Sequence, residues 1–177
     1  VALFAKYPQA GRTKTRLAPM LGDEGAARFA AHLLVRMLSN LQAWQADQDS
    51  PFEVALWVDG GSTEEWAQLL GADTVNRVRV LRQPLAHLGH RMSCAVQYHL
   101  AQYEQVVLLG PDAVEFSQAD LQAMQQAAAR ADFVFVPAHD GGYVAVGCKR
   151  LEPAMFSGNI EWGGATGCGT NAIGLES

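Results

Sequence analysis

Four cations lie close together near the start of the chain, in a stretch without any acidic residue. The stretch reads F-A-K-Y-P-Q-A-G-R-T-K-T-R-L from Phe4 to Leu17, and its cations are Lys6, Arg12, Lys14 and Arg16. A turn at Gly11 would add backbone N–H groups to these side chains, and this combination suits the phosphates of a nucleoside di- or triphosphate. The alternative is a basic loop that is only solvated.

The spacing of this loop differs from those of the common phosphate-binding motifs. It contains neither the G-x-x-x-x-G-K-[ST] of a P-loop nor the G-x-G-x-x-G of a dinucleotide fold, which argues against a nicotinamide-dependent oxidoreductase. The chain has a net charge of -5, which argues against a nucleic-acid binder. Residues 1–22 nevertheless carry +4, and the remainder has 9 Lys and Arg against 18 Asp and Glu, which is -9. A small anionic ligand is therefore the expected partner.

Two aspartates follow later apolar runs and are candidate ligands of a divalent cation. Asp112 ends the sequence L-L-G-P-D, and Asp140 begins D-G-G. Carboxylates from separate strand ends that face a basic loop would suit Mg²⁺ or Mn²⁺ bound together with a phosphate. The alternatives are a Pro-Asp turn at Asp112 and a hairpin turn at Asp140.

The elements that must position these residues follow from apolar periodicity. Continuous apolar runs predict buried strands at Val1–Ala5, Phe52–Val58, Val78–Leu81, Val106–Leu109, Phe133–Val136 and Tyr143–Gly147. Helical spacing and N-cap residues predict helices at Asp23–Ala46, Thr63–Leu70, Leu88–Tyr103 and Ser117–Ala131. The alternation predicts a layered α/β fold with a mostly parallel sheet, in which ligands bind at the carboxyl ends of the strands. The last two strands are too close in sequence for a helical crossover, so we expect them to be antiparallel.

Length and composition place further bounds on the protein. At about 150 residues per domain, 177 residues predict one domain over 1–177, with a C-terminal part that is incomplete or poorly ordered. The three cysteines are widely spaced and form no C-x-x-C pair, so we expect reduced, mostly buried thiols rather than a disulfide or metal framework. No stretch approaches the ~18 apolar residues of a membrane span. Together these features favour a cytoplasmic protein.

Several motifs together resemble the bacterial family once called DUF2064, whose members are assigned as glycosyltransferases related to nucleotidyltransferases. The first is the basic stretch itself, followed by Ala18-Pro19 and G-D-E-G-A-A. The others are L-G-x-R-M at Leu88–Met92, the strand and carboxylate of Val106–Asp112, and P-A-x-D-G-G-Y at Pro137–Tyr143. The resemblance covers about residues 1–163. It implies the three-layer, Rossmann-like GT-A fold of nucleotide-diphospho-sugar transferases, with a mostly parallel mixed sheet and one antiparallel strand.

The resemblance also implies roles for individual residues. Asp112 matches the metal-binding aspartate of the fold, although G-P-D-A-V stands here where the family usually has Ser-Asp-x-Pro. Asp140 would be the second ligand of the same ion. Nucleotide or substrate contacts are implied for Lys6, Gly11, Arg91, Gly141 and Gly142. Trp162 would contact the acceptor. The alternative for Arg91 is a salt bridge on a helix face, and the alternative for Trp162 is a place at the edge of the core.

We therefore expect a metal-dependent transferase that uses a nucleoside di- or triphosphate or a nucleotide-sugar and a small-molecule acceptor. In glycosyl transfer, the metal and the basic loop would stabilise the departing diphosphate, with Glu161 as a weak candidate base. In nucleotidyl transfer, Arg12, Lys14 and Arg16 would be catalytic, stabilising charge on the α-phosphate. The loop favours the second reaction and the family favours the first, so both stay open. The alternative from another class is a non-catalytic nucleotide- or sugar-phosphate-binding relative.

Overall fold

The computed structural model describes residues 1–46, 52–138 and 142–156, and a six-stranded sheet lies at its centre. The strands are β1 (Ala2–Lys6), β2 (Ala55–Asp59), β3 (Arg79–Arg82), β4 (Val106–Leu109), β5 (Phe133–Pro137) and β6 (Tyr143–Cys148). Their order across the sheet is β3-β2-β1-β4-β6-β5. The first four pair in parallel, whereas β6 runs antiparallel to both of its neighbours, β4 and β5. The predicted mixed sheet, with its antiparallel final pair, is confirmed.

Five helices connect these strands within the described residues. They are α1 (Ala18–Gln45), α2 (Thr63–Leu70), α3 (Ala72–Val75), α4 (Leu88–Leu100) and α5 (Gln118–Ala127), with short 3-10 helices at Thr15–Leu17 and Pro153–Phe156. The Ser62 and Ser117 side chains begin α2 and α5 with reciprocal capping boxes, to Glu65 and Asp120 respectively. These two helix starts agree with the sequence prediction.

Helix α1 begins five residues before the predicted start at Asp23. Pro19 lies in its first turn, where a backbone N–H group has no partner within the helix, so the N–H group that proline lacks is not needed. Gly22, with φ 70° and ψ 165°, interrupts the helical backbone, so a short first segment and the long predicted segment are joined across a kink. Helix α3 is a single turn, too short for apolar periodicity to reveal.

Helices cover both faces of the sheet because each strand alternates its side chains between two apolar layers. Leu3, Leu56 and Val58 face the layer formed by α1, α2 and α5, whose buried residues include Leu34, Leu38, Leu41, Trp66 and Leu121. Ala2, Trp57 and Leu81 face the layer formed by α4 and the second 3-10 helix, whose buried residues include Val96 and Phe156. The core therefore fixes the strands, and the loops at their ends carry the polar chemistry.

The described cysteines differ in their state. Cys148, at the end of β6, is a buried free thiol, and burial raises its pKa to about 11. Cys94 on α4 is also buried but is disulfide-bonded, so the expectation of reduced thiols is wrong for this residue. In the part of the chain that the structure describes, no helix is long and apolar enough to cross a bilayer.

Candidate functional site

The basic loop meets Asp112 where the strand order of the sheet reverses. Strand β1 lies between β2 and β4, and the loops that follow β1 and β4 leave from the same edge because these strands are parallel. Lys14 Nζ lies 2.5 Å from Asp112 Oδ2, so the two loops are joined by an ion pair. In open α/β sheets, ligands bind in the crevice at such a reversal. Two of the predicted site residues are thus brought together there.

Hydrogen bonds within the basic loop fix its course. The Thr13 hydroxyl donates to the Tyr7 carbonyl at 3.1 Å and accepts from the Gln9 N–H at 3.1 Å. The Lys6 ammonium, at the end of β1, donates to the Arg12 carbonyl at 3.3 Å. Gly11 has φ 70°, a left-handed conformation that favours glycine at this turn. The loop is therefore an ordered extension of β1 rather than a free arm.

Lys14 adopts a backbone conformation that is rare for its residue type. Its φ of 53° and ψ of 37° are left-handed, and it is the one non-glycine residue with positive φ within the described ranges. Such a conformation costs an L-residue roughly 1–2 kcal/mol and is concentrated at functional sites. Lys14 immediately precedes the 3-10 helix Thr15–Leu17, and its carbonyl accepts from the Leu17 N–H at 2.8 Å.

A second polar cluster lies at the ends of β2 and β3. Arg91 Nη1 lies 2.7 Å from Asp59 Oδ2 and 3.2 Å from Gln83 Oε1, and Arg91 Nε donates to the Ala86 carbonyl at 2.5 Å. Gln83 Nε2 in turn donates to the Trp57 carbonyl at 2.8 Å. Arg91 therefore makes a salt bridge, as its alternative interpretation expected, but to the end of β2 rather than along the face of α4. Its contact with a ligand stays a prediction.

The structure places the remaining predicted residues in different surroundings. Arg12 and Arg16 are exposed on the basic loop, with Arg16 in its 3-10 helix. Gly142 is exposed just before β6, and its carbonyl accepts from the Ala138 N–H at 2.9 Å. Asp140, Gly141, Glu161 and Trp162 lie outside the described residues. Their roles stay predictions.

Sequence reasoning missed Asp59 as a member of this edge of the sheet. Asp59 is the register partner of Lys6 at the ends of β2 and β1, so it borders the basic loop directly. Its signal is the sequence D-G-G directly after the buried run Ala55–Val58, since Asp112 likewise follows the buried strand β4. Gln83 has no comparable signal in the sequence, because its role depends on its contacts with the ends of β1 and β2.

Asp112 is the one predicted metal ligand among the described residues, and its carboxylate suits a hard divalent cation that binds together with a phosphate. Its side chain is 61% exposed and supplies carboxylate oxygen, the ligand that Mg²⁺ and Mn²⁺ prefer. Within the described residues, no group of three or more His, Cys, Asp or Glu could hold a metal ion. Mg²⁺ characteristically uses one or two protein carboxylates and completes its shell with water and phosphate oxygens. The ligand would therefore have to supply part of the coordination.

A cavity of about 220 Å³ lies at the opposite, amino-terminal edge of the sheet. It is lined by the starts of β2 and β4 and by His99 and Tyr103, and it contains none of the predicted site residues. Trp57 Nε1 donates to His99 Nε2 at 3.0 Å in this region. Burial, assisted by the positive charge of Arg79, lowers the pKa of His99 to about 4. His99 is therefore a neutral core residue, remote from the basic loop.

Comparison with known proteins agrees with the fold of the chain. The family model described as "Uncharacterized protein conserved in bacteria (DUF2064)" matches residues 40–164. A crystal structure named "putative nucleotide-diphospho-sugar transferase", from Desulfovibrio desulfuricans G20, is 29% identical with a TM-score of 0.76, over 93% of this chain and 69% of that one. The structure of 4-diphosphocytidyl-2C-methyl-D-erythritol synthase from Anaerococcus prevotii DSM 20548 is 11% identical with a TM-score of 0.52, over 92% of this chain and 78% of that one. This second likeness is one of fold. No curated protein matches the sequence.

Proposed function

The chain belongs to the DUF2064 family and has the fold of a nucleotide-diphospho-sugar transferase, and we propose that it is a metal-dependent transferase acting on a nucleotide-sugar. The observation that carries the proposal is the Lys14–Asp112 contact at the strand-order reversal. It joins a cation that could bind phosphate to a carboxylate that could bind a metal ion. The name of the Desulfovibrio relative supports a nucleotide-sugar as the donor.

In this reaction, the bond between the sugar's anomeric carbon and the diphosphate oxygen breaks, and an acceptor oxygen bonds to that carbon. Negative charge grows on the departing diphosphate, and Lys14 would stabilise it. Arg12 and Arg16 would add to the positive potential around the loop because they are exposed on the same segment. Asp112 would hold Mg²⁺ or Mn²⁺, which when bound neutralises the phosphate oxygens. The acceptor proton passes to a base, for which Glu161 is the sequence candidate.

Nucleotidyl transfer is the second candidate, favoured by the three alternating cations Arg12, Lys14 and Arg16. Here an acceptor phosphate attacks the α-phosphorus of a nucleoside triphosphate, and pyrophosphate leaves. No strong base is needed because a phosphate acceptor is already ionised. The cations would then stabilise charge on the α-phosphate and on the departing pyrophosphate.

Thermal unfolding with a panel of nucleoside diphosphates and triphosphates, with Mg²⁺, Mn²⁺ or EDTA, tests whether the site binds nucleotide. A ligand at about 100 times its Kd adds about 2.7 kcal/mol to the free energy of unfolding. We expect stabilisation by at least one nucleotide and a larger effect with metal. Absence of stabilisation by every nucleotide in the presence of metal would contradict the proposal.

Product analysis then separates the reactions. Glycosyl transfer releases a nucleoside diphosphate from a nucleotide-sugar, whereas nucleotidyl transfer releases pyrophosphate from a nucleoside triphosphate and a sugar phosphate. Binding without either product, over a broad panel of acceptors, would favour the non-catalytic relative.

A further inference from the structure

We propose that Lys14 and the divalent metal compete for Asp112, and that the Lys14 ammonium passes from Asp112 to the ligand's phosphates when metal and ligand bind together. This inference rests on the proposed function because it requires that the site bind both a metal ion and a phosphate. It adds a coupling between the two partners that neither the fold nor the family specifies.

The geometry provides the competition. Lys14 Nζ lies 2.5 Å from Asp112 Oδ2, so the ammonium occupies the space in which a cation bound to that oxygen would lie. The Lys14 side chain is 26% exposed while Asp112 is 61% exposed, so the lysine is the more enclosed partner of the pair. Two cations at one carboxylate oxygen repel each other. A metal ion that binds Asp112 through this oxygen must therefore displace the ammonium.

The backbone of the basic loop allows this displacement without unfolding. The Lys14 carbonyl is held by the Leu17 N–H at 2.8 Å, and the neighbouring Thr13 hydroxyl is bonded to Tyr7 and Gln9. The main chain is therefore anchored on both sides of Lys14. The four-carbon side chain has several rotatable bonds and can redirect its ammonium within the crevice while the main chain stays in place.

The exchange makes the binding of metal and phosphate mutually dependent. Metal alone displaces Lys14 from Asp112 and leaves the ammonium without a new partner. Phosphate alone must draw the Lys14 ammonium away from Asp112, and the Asp112 carboxylate, having lost its cation, then repels the phosphate. When both bind, the metal neutralises Asp112 and the phosphate accepts Lys14. Each partner should therefore raise the affinity of the other by the same factor, typically about 5- to 150-fold for coupled sites.

The opposite role for this pair is a fixed salt bridge that stays in place and only anchors the loop. The two roles differ in whether a gain in metal affinity depends on Asp112. If Lys14 competes with the metal, removing its charge raises the affinity for metal alone only while Asp112 is present. If the bridge is a fixed anchor, removing Lys14 gives at most the gain from a lost positive charge, and that gain persists when Asp112 is also replaced.

Titration with MnCl₂ alone, with free Mn²⁺ measured by electron paramagnetic resonance, tests that dependence. Lys14→Met removes the charge and keeps the length of the side chain, and Lys149→Met is the control because Lys149, after β6, donates to the Ala128 carbonyl away from the site. We expect Lys14→Met to bind Mn²⁺ at least ~5-fold more tightly than the unaltered protein, and the control to stay within about 2-fold. Equal or weaker Mn²⁺ binding by a folded Lys14→Met protein would overturn the competition, and so would a gain over Asp112→Asn that persists in the double variant Lys14→Met/Asp112→Asn.

The reciprocal experiment uses inorganic pyrophosphate in EDTA, which avoids any dependence on the nucleotide base. Asp112→Asn releases Lys14, so we expect it to bind pyrophosphate ~5-fold or more tightly than the unaltered protein. Removing a negative charge could by itself give such a gain, so the double variant Lys14→Met/Asp112→Asn is decisive. The gain should disappear in the double variant, and its persistence would overturn the role of Lys14.

The same measurements separate this inference from the proposed function. If the unaltered protein binds Mn²⁺ and pyrophosphate together but Lys14→Met shows no gain for Mn²⁺, the competition alone fails. If no form of the protein binds Mn²⁺ and pyrophosphate even when both are present, the proposed function fails at this site and the competition fails with it.

Discussion

Arg91 Nη1 lies 2.7 Å from Asp59 Oδ2, which ties the first turn of α4 to the carboxyl end of β2. The same guanidinium reaches Gln83 and the Ala86 carbonyl, so one side chain joins three separate segments at this edge of the sheet. The side chains of Arg91 and Asp59 are 20% and 33% exposed, so the pair is partly shielded from water. Arg91 therefore positions the strand end that borders the basic loop.

Replacing Arg91 with lysine should lower the free energy of unfolding by about 1–3 kcal/mol, because an ammonium cannot keep the planar set of bonds to three acceptors. Urea unfolding measures the loss. The matched control is Arg28→Lys, since Arg28 and Glu24 form an exposed pair at 3.6 Å on α1. The control should change stability by less than ~0.5 kcal/mol. Equal losses for the two variants would mean that the Arg91 network contributes nothing specific.

The buried His99 should make the protein less stable in mild acid. Its pKa is about 4 in the folded protein against an ordinary value of 6.5, so the unfolded chain binds a proton more readily in this interval. The contribution is fully present above about pH 6.5 and is lost as the pH falls towards 4. It amounts to up to about 3 kcal/mol. Protonation would also remove the acceptor for Trp57 Nε1.

Urea unfolding of the unaltered protein and His99→Gln at several pH values between 4 and 7 checks this contribution. The amide of glutamine does not titrate and its carbonyl can still accept from Trp57. We expect the variant to lose stability less steeply than the unaltered protein as the pH falls. Parallel curves would show that His99 has an ordinary pKa.

Asp112→Asn should remove the dependence of nucleotide binding on metal. An amide is a poor ligand for Mg²⁺ compared with a carboxylate, so the extra thermal stabilisation that Mg²⁺ gives over EDTA should disappear. Asp73→Asn makes the same change at an exposed position on α3 and should retain the full metal effect. If Mg²⁺ still adds thermal stabilisation over EDTA in Asp112→Asn, the cation binds to other ligands.

The sequence was a good guide where a signal is local and repeated. Buried runs such as Val106–Leu109 are continuous in the chain, and the Ser62 and Ser117 capping boxes need only residues three positions apart. The short link between the last two strands excluded a helical crossover and so gave their antiparallel pairing. The placement of the basic loop and Asp112 at one edge followed from the same alternation of elements.

Features that depend on distant contacts could not be predicted in the same way. Lysine has no preference for the left-handed conformation that Lys14 adopts, so its backbone is set by the surrounding loop. Gln83 matters because it joins the ends of β1 and β2, which are far from it in sequence. The partners of Arg91 lie at the end of β2 and in the connection between β3 and α4, so the motif L-G-x-R-M alone did not identify them.

Calorimetric titration of a nucleotide at saturating Mg²⁺, for Lys14→Ala and Arg130→Ala, tests the central claim most directly. Both changes remove one cation, but Lys14 forms an ion pair with Asp112, whereas Arg130 is an exposed residue just after α5. Loss of one charge-assisted contact to phosphate costs on the order of 1.5–3 kcal/mol, which is roughly a 10- to 150-fold loss of affinity. We expect that loss for Lys14→Ala and an unchanged affinity for Arg130→Ala. Equal affinities for the two variants would contradict a phosphate-binding role for the basic loop.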